Sequence, residues 1–320
     1  MAKRKDTMVR NLPSLEKPSL WRTVVQNKTL IVMCLPAILF FFVFAYMPMP
    51  GAYIAFTNFQ YNKGIWGSPF VGLQNFKFLF ISGQLALLLR NTVLYNIAFI
   101  VVGNVLQLTF AILLNEVQSK LFKKTTQSMM FLPYFISDVL VSLLVYNLLN
   151  YDYGFISNIV RSLGGEMPKV YQMASAWPYI IVLVNVWKGT GYGTVVYFAA
   201  ITGMDASMME AAQIDGANGF QRIRYITLPT LKPTVVILFL FAIGGILKGN
   251  FGLFYNLVGA NSMLYGTTDI IETYVYRSMM NSFNFSQSSA VGLFQSVVGF
   301  FIVIGANAVV KKLEPDYALF

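Results

Sequence analysis

The chain has 320 residues, 56% of them hydrophobic and 16% aromatic, with only 11% charged and a mean hydropathy of +0.60. An ordinary soluble domain carries about 25% charged residues, so this composition excludes a water-soluble globule and assigns the chain to lipid. The absence of His and a lone Cys34 remove the usual metal sites, any Ser–His or Cys–His catalytic pair and any internal disulfide.

Six apolar runs are long enough to cross a hydrocarbon core, which takes roughly 20 helical residues. They are 30–47, 91–114, 129–149, 176–201, 234–258 and 288–310. The first is followed by Pro48-Met49-Pro50 and aromatic residues instead of a small-residue cleavage site, so it reads as a retained helix. Six crossings put both ends on one side. Of the 23 Lys and Arg residues, fifteen fall in the N-terminal segment, the second and fourth connections and the tail; five fall on the opposite side. Positive loops stay inside, so the expected fold is an all-α membrane protein with six transmembrane helices and both termini cytoplasmic. Its parts are a basic N-terminal segment 1–29, a transmembrane domain 30–310 and a tail 311–320. The net charge of +10 is then accounted for by orientation, with no nucleic-acid partner.

Two outer segments carry their own pattern. The loop 51–85 is long, aromatic and punctuated by Gly64, Gly67 and Pro69; 270–280 is amphipathic at helical spacing. Asp138 is the tenth residue of the third run and Lys188 the thirteenth of the fourth, so both come near the bilayer midplane. A lone charge there costs at least ~2.5–3.5 kcal/mol; the two are expected to pair with each other. Lys248, fifteenth in the fifth run, lies about 21 Å from the cytoplasmic side.

The fourth connection, 202–233, is far longer than the median of about 4–6 residues for compact domains. Asp205 is a helix cap, 206–215 are mostly good helix formers, and Gly216 stands where a left-handed residue ends a helix. Met208, Ala211, Ala212 and Asp215 recur at spacings of three and four, a thin smooth stripe able to seat in a partner's groove.

These residues carry a resemblance. Glu210-Ala211-Ala212, Gly216 after three residues, and Ile226-x-Leu228-Pro229 after nine more resemble the EAA-x3-G-x9-I-x-L-P signature of permease subunits in binding-protein-dependent ATP-binding-cassette importers. Gly72-Leu73-x-Asn75-Phe76, Asn91-Thr92, Trp187-Lys188 and Thr273-Tyr274-Val275-Tyr276-Arg277 extend it toward permeases of complex and acidic oligosaccharides, such as pectin- or alginate-derived chains. The similarity covers residues 20–312; Asp205 departs from it, where relatives often place Pro.

The resemblance implies a type I importer permease in the bacterial cytoplasmic membrane. Its partners would be a second permease, two ATP-binding subunits, an extracytoplasmic solute-binding protein and an oligosaccharide substrate. Met208, Met209, Glu210, Ala211, Ala212, Asp215 and Gly216 would then couple the spans to the ATPase. This chain would bind no cofactor, since it lacks a G-x4-G-K-[ST] loop; ATP and Mg belong to the partner. Sugar hydroxyls need hydrogen-bonding groups and ring faces need aromatics, so Tyr134, Asp138, Asn185, Lys188, Tyr192, Lys248, Asn250 and Gln295 are the pathway candidates. No catalytic residue or metal ligand is expected. An ion-coupled sugar carrier is the alternative; a potassium filter is not, because Thr190-Gly191-Tyr192-Gly193 is one residue short and lies within a span.

Overall fold

The computed structural model describes residues 26–313. The predicted N-terminal segment as far as residue 25, and the tail beyond residue 313, lie outside the described residues. The chain divides into two units, one ending at Ala52 and the other beginning at Tyr53.

In the first unit α1 (Lys28–Phe41) runs into a wider turn at Phe42–Tyr46, with Pro36 inside the helix and no residue buried. Proline at mid-helix forfeits one backbone bond, a loss that membrane helices tolerate. The apolar run to which it belongs has a mean hydropathy of 2.6.

The second unit is all helical among the described residues, with one isolated bridge, Thr57 to Phe70. Near that bridge the side-chain amide of Asn75 donates to the carbonyls of Ala55 and Thr57 (2.9 and 3.0 Å). Phe76 packs on Phe56 with centroids 5.4 Å apart. The outer-loop motif therefore ties a loop to α2 (Gln74–Ile81). The remaining long elements are α3 (Gln84–Glu116), α4 (Lys120–Phe131), α5 (Asp138–Leu149), α6 (Phe155–Ser162) and α7 (Trp177–Thr202). After the connection helices α8 (Ala206–Ile214) and α9 (Gly219–Arg222) come α10 (Leu228–Gly244), α11 (Phe251–Val258), α12 (Ile271–Met280) and α13 (Phe285–Leu313).

Two of the six predicted spans are not single helices. The run 129–149 is bent by 97° between Lys120–Phe135 and Asp138–Leu149. The backbone turns extended at Ile136 (φ −73°, ψ 128°), and the Ser137 hydroxyl accepts from Leu140 N–H to start a new helix. The run 234–258 breaks between Gly244 and Phe251, where Asn250 caps α11 by accepting from Leu253 N–H at 3.1 Å. Among the described residues, four helices are long and apolar enough to cross a membrane alone, or five with the bent pair counted as one. The run 176–201 is one helix of 26 residues, diluted by Asn185, Lys188 and its glycines.

Helices α3 and α7 form the central pair. In lipid, packing and hydrogen bonds hold helices together because tails are as apolar as Leu. Small residues of α7 supply the approach: a Cβ on Gly193 would lie 2.1 Å from the Gln107 side chain of α3, and one on Gly191 would lie 1.9 Å from the Met130 carbonyl oxygen of α4. Gly189, two residues earlier on the same helix, faces open space. Polar glue supplies the rest, as Tyr197 donates to Asn104 at 2.7 Å and Tyr95 to the Thr267 carbonyl at 2.9 Å. Fully buried Trp177, Ile181, Leu253 and Phe254 form a core at one end, and Tyr197 and Leu231 another near the 202–233 connection.

Candidate functional site

The connection folds as its local signals dictate. Asp205 accepts from Ser207 N–H at 2.9 Å, and α8 closes at Ile214, one residue short of the expected end, with Asp215 as its cap. Gly216 takes φ +78°, a left-handed conformation. Ala217 N–H returns to the Ala212 carbonyl at 2.9 Å. The Ser207 amide holds the Asp205 carboxyl below the usual carboxylate range. Asn218 and Gln221 form a reciprocal capping box at the start of α9. Arg222 reaches Glu116 at 3.7 Å, which ties α9 to the end of α3.

None of α8 is buried. Met209 and Ala212 turn partly inward, while Met208, Glu210, Ala211, Ile214 and Asp215 are exposed. The exposed stripe is thus Met208, Ala211 and Asp215, with Ile214 beside it. Ile214 at 86% exposure, Phe220 at 70% and Tyr225 at 69% are exposed apolar side chains of the same connection.

The pathway candidates separate into two places. In the first, Lys188 on α7 donates to Asp138 at the start of α5, the pairing expected from burial cost. Asn185, Lys188 and Tyr192 share one helical face. Tyr192 stacks on Tyr134 with centroids 4.9 Å apart and planes at 16°, and lies 6.2 Å from Phe131. A Cβ on Gly252 would come within 2.5 Å of Asp138 Oδ2, so α11 closes against the ion pair. Asn250 caps α11 two residues before Gly252.

Lys248 and Gln295 stand apart, in a cavity of about 580 Å³ also lined by Gly249, Ser296 and Glu272. Glu272 was not among the predicted residues. Its Oε1 accepts from Gly249 N–H at 2.7 Å and from Gln295 Nε2 at 2.8 Å, while Oε2 is buried with no partner among the described residues. Its only sequence signal is an acid in the first turn of α12, the ordinary complement of a helix dipole.

An exposed short helix slung between long apolar helices, together with a half-buried ion pair and a polar cavity, defines a helical membrane transport subunit. Residues 100–316 match the family described as "Binding-protein-dependent transport system inner membrane component", and the chain belongs to that family. It is 36% identical over 293 residues to the polygalacturonan/rhamnogalacturonan transport system permease protein YteP of Bacillus subtilis (strain 168), covering 92% of this chain and 91% of that one. Two solved structures share the fold. A bacterial ABC transporter involved in import of the acidic polysaccharide alginate matches with TM-score 0.83 and 32% identity, over 92% of this chain and 99% of the other. A bacterial alginate ABC transporter in complex with an alginate pentasaccharide-bound periplasmic protein matches with TM-score 0.82 and 31% identity, over 92% and 98%. Membership places the chain with binding-protein-dependent transport, and nothing favours the ion-coupled alternative.

Proposed function

We propose that this chain is the permease subunit of an ATP-driven importer that moves an oligosaccharide, acidic or complex in composition, across the bacterial cytoplasmic membrane. The observation that carries this reading is α8, a capped helix that presents Met208, Glu210 and Ala211 uncovered by the described chain. Small Ala permits close approach, Glu210 supplies a charge for a basic partner residue, and Gly216 permits the sharp exit. Closure of two ATP-binding subunits moves α8, and rigid-body rocking of the helices opens the pathway alternately to each side. ATP and Mg are bound by those subunits, and this chain holds no cofactor.

With each broken helix pair taken as one crossing, α1, α3, α4 with α5, α7, α10 with α11, and α13 make six. The Lys and Arg distribution then sets both termini and the connection 202–233 in the cytoplasm. The layout is 1–29 basic segment, 30–310 permease domain and 311–320 tail. The polygalacturonan relative and the alginate-bound neighbour support an acidic glycan as cargo and a solute-binding protein as outer partner. A second permease completes the pathway. Lys188 is balanced by Asp138, so Lys248, which forms no ion pair among the described residues, is the cation offered to sugar carboxylates.

The test is reconstitution with the partner subunits and an oligosaccharide panel. Glu210→Lys abolishes uptake and leaves membrane insertion intact; wild-type uptake in this variant refutes the coupling role.

A further inference from the structure

Away from both groups, the connection between α5 and α7 folds around a polar cavity of about 280 Å³. Its rim is built rigidly. Asn150, only 9% exposed, accepts from Asp152 N–H (2.8 Å) and Tyr153 N–H (3.2 Å) through Oδ1, which leaves its NH2 free at the cavity it lines. Arg161 donates to the Tyr151 and Asp152 carbonyls at 2.6 and 2.9 Å, and Ser157 also donates to the Tyr151 carbonyl at 2.6 Å. A Cβ on Gly154 would lie 2.2 Å from the Asn150 carbonyl, so the turn has no slack.

Aromatic and polar groups converge there. Tyr146 meets Tyr171 edge to face at 5.4 Å and Tyr153 at 6.0 Å. Burial pushes the Tyr171 hydroxyl up to about 12, so it remains a neutral donor at physiological pH. Asp152, Lys169 and Gln172 line the same cavity with exposed side chains. The set offers ring faces, a carboxylate acceptor and amide and ammonium donors within one small concavity. Adjacent sugar hydroxyls donate to a carboxylate and accept from amides, while ring C–H faces lie on aromatics.

We propose that this cavity is a second carbohydrate subsite, holding one pyranose unit of a hydroxyl-rich glycan between the Tyr146–Tyr171 corner and Asp152, Asn150 and Gln172. The proposal rests on the outer placement of this connection in the function proposed above. There the subsite meets glycan outside the membrane, before it enters the pathway.

The experiment uses the assembled transporter in lipid nanodiscs without its solute-binding protein. Maltopentaose and a galacturonate pentasaccharide are titrated by saturation-transfer NMR against wild type and an Asp152→Ala, Gln172→Ala double variant. Both substituted side chains are exposed, and unchanged basal ATP hydrolysis reports intact assembly. Loss of two hydrogen bonds is expected to weaken binding of at least one probe about tenfold. Equal affinity in the two proteins overturns the subsite. So does unchanged glycan affinity with weakened capture of the solute-binding protein, which makes the cavity a protein-docking site. A parallel uptake assay on wild type keeps the two readings separate: failure to import any glycan counts against the function, whereas normal uptake with an indifferent double variant counts against the subsite alone.

Discussion

Glu272 accepts the Gly249 amide at 2.7 Å and so pins the break between α10 and α11 to the first turn of α12. Gln295 on α13 completes the knot by donating both to Glu272 and to the Leu247 carbonyl. One carboxylate therefore joins three elements where the fifth predicted span is interrupted. Backbone freed from helix inside a membrane needs such partners.

Glu272→Ala leaves the Gly249 N–H and one Gln295 donor unpaired, at about 1–3 kcal/mol. Gly249→Ala drives a methyl to within 2.3 Å of Ile270 Cδ1 and 2.5 Å of Glu272 Oε2, an overpacking cost of about 1–3 kcal/mol. Both variants are expected to lower the thermal midpoint of the purified transporter in detergent. A midpoint unmoved by either shows that the knot does not hold the break.

Much of this was legible in the sequence, and the illegible part has a common cause. The ends of α8 were readable because Asp205 and Gly216 act within a few residues of themselves. The Asp138–Lys188 pair was readable because two charges in apolar runs have few other partners. The break before Asp138 carried its signal in the helix cap Ser137, but hydropathy over a long window runs straight across it. Glu272 was invisible as a site: its partners Gly249 and Gln295 lie twenty-three residues away on either side, and only tertiary folding brings them together. The same holds for Asn75, whose motif was visible while its bonds to the Ala55 and Thr57 carbonyls were not.

The Asn75 knot makes a second prediction. Asn75→Ala strips both carbonyls of their amide donor, at about 1–3 kcal/mol, and loosens the turn before α2. Limited proteolysis of the loop 51–85 from the outside is expected to accelerate. Unchanged cleavage means that the aromatic contact between Phe56 and Phe76 suffices alone.

The ion pair makes a third. Lys188 and Asp138 side chains are 18% and 24% exposed, so solvent screens the pair only in part. Lys188→Met and Asp138→Asn each leave one member without its counterion, and each is expected to cost about 1.5–3 kcal/mol. The double variant recovers part of the sum, because contacting residues are not additive. Strict additivity in thermal midpoints denies the coupling. On uptake, Lys248→Met is expected to depress acidic oligosaccharides more than neutral ones, and equal losses assign Lys248 a structural role.

The cap of α8 separates a hydrogen bond from a charge. Asp205 has a lowered pKa in the folded chain, chiefly through the Ser207 backbone bond. Its contribution is therefore present above the unfolded value of about 3.9 and is lost only as pH falls through the lower folded value. At neutral pH the carboxylate is fully ionised, so Asp205→Asn, which keeps an acceptor oxygen, is expected to retain uptake and substrate-stimulated ATP hydrolysis. Asp205→Ala removes the acceptor, leaves the first turn of α8 uncapped, and uncouples hydrolysis from uptake with the spans intact. Cysteine placed at Ala211 and cross-linked to the ATPase subunit reports the same loss directly. Equal cross-linking yield in the Asp205→Ala and Asp205→Asn backgrounds shows that the partner, not the cap, orders this helix.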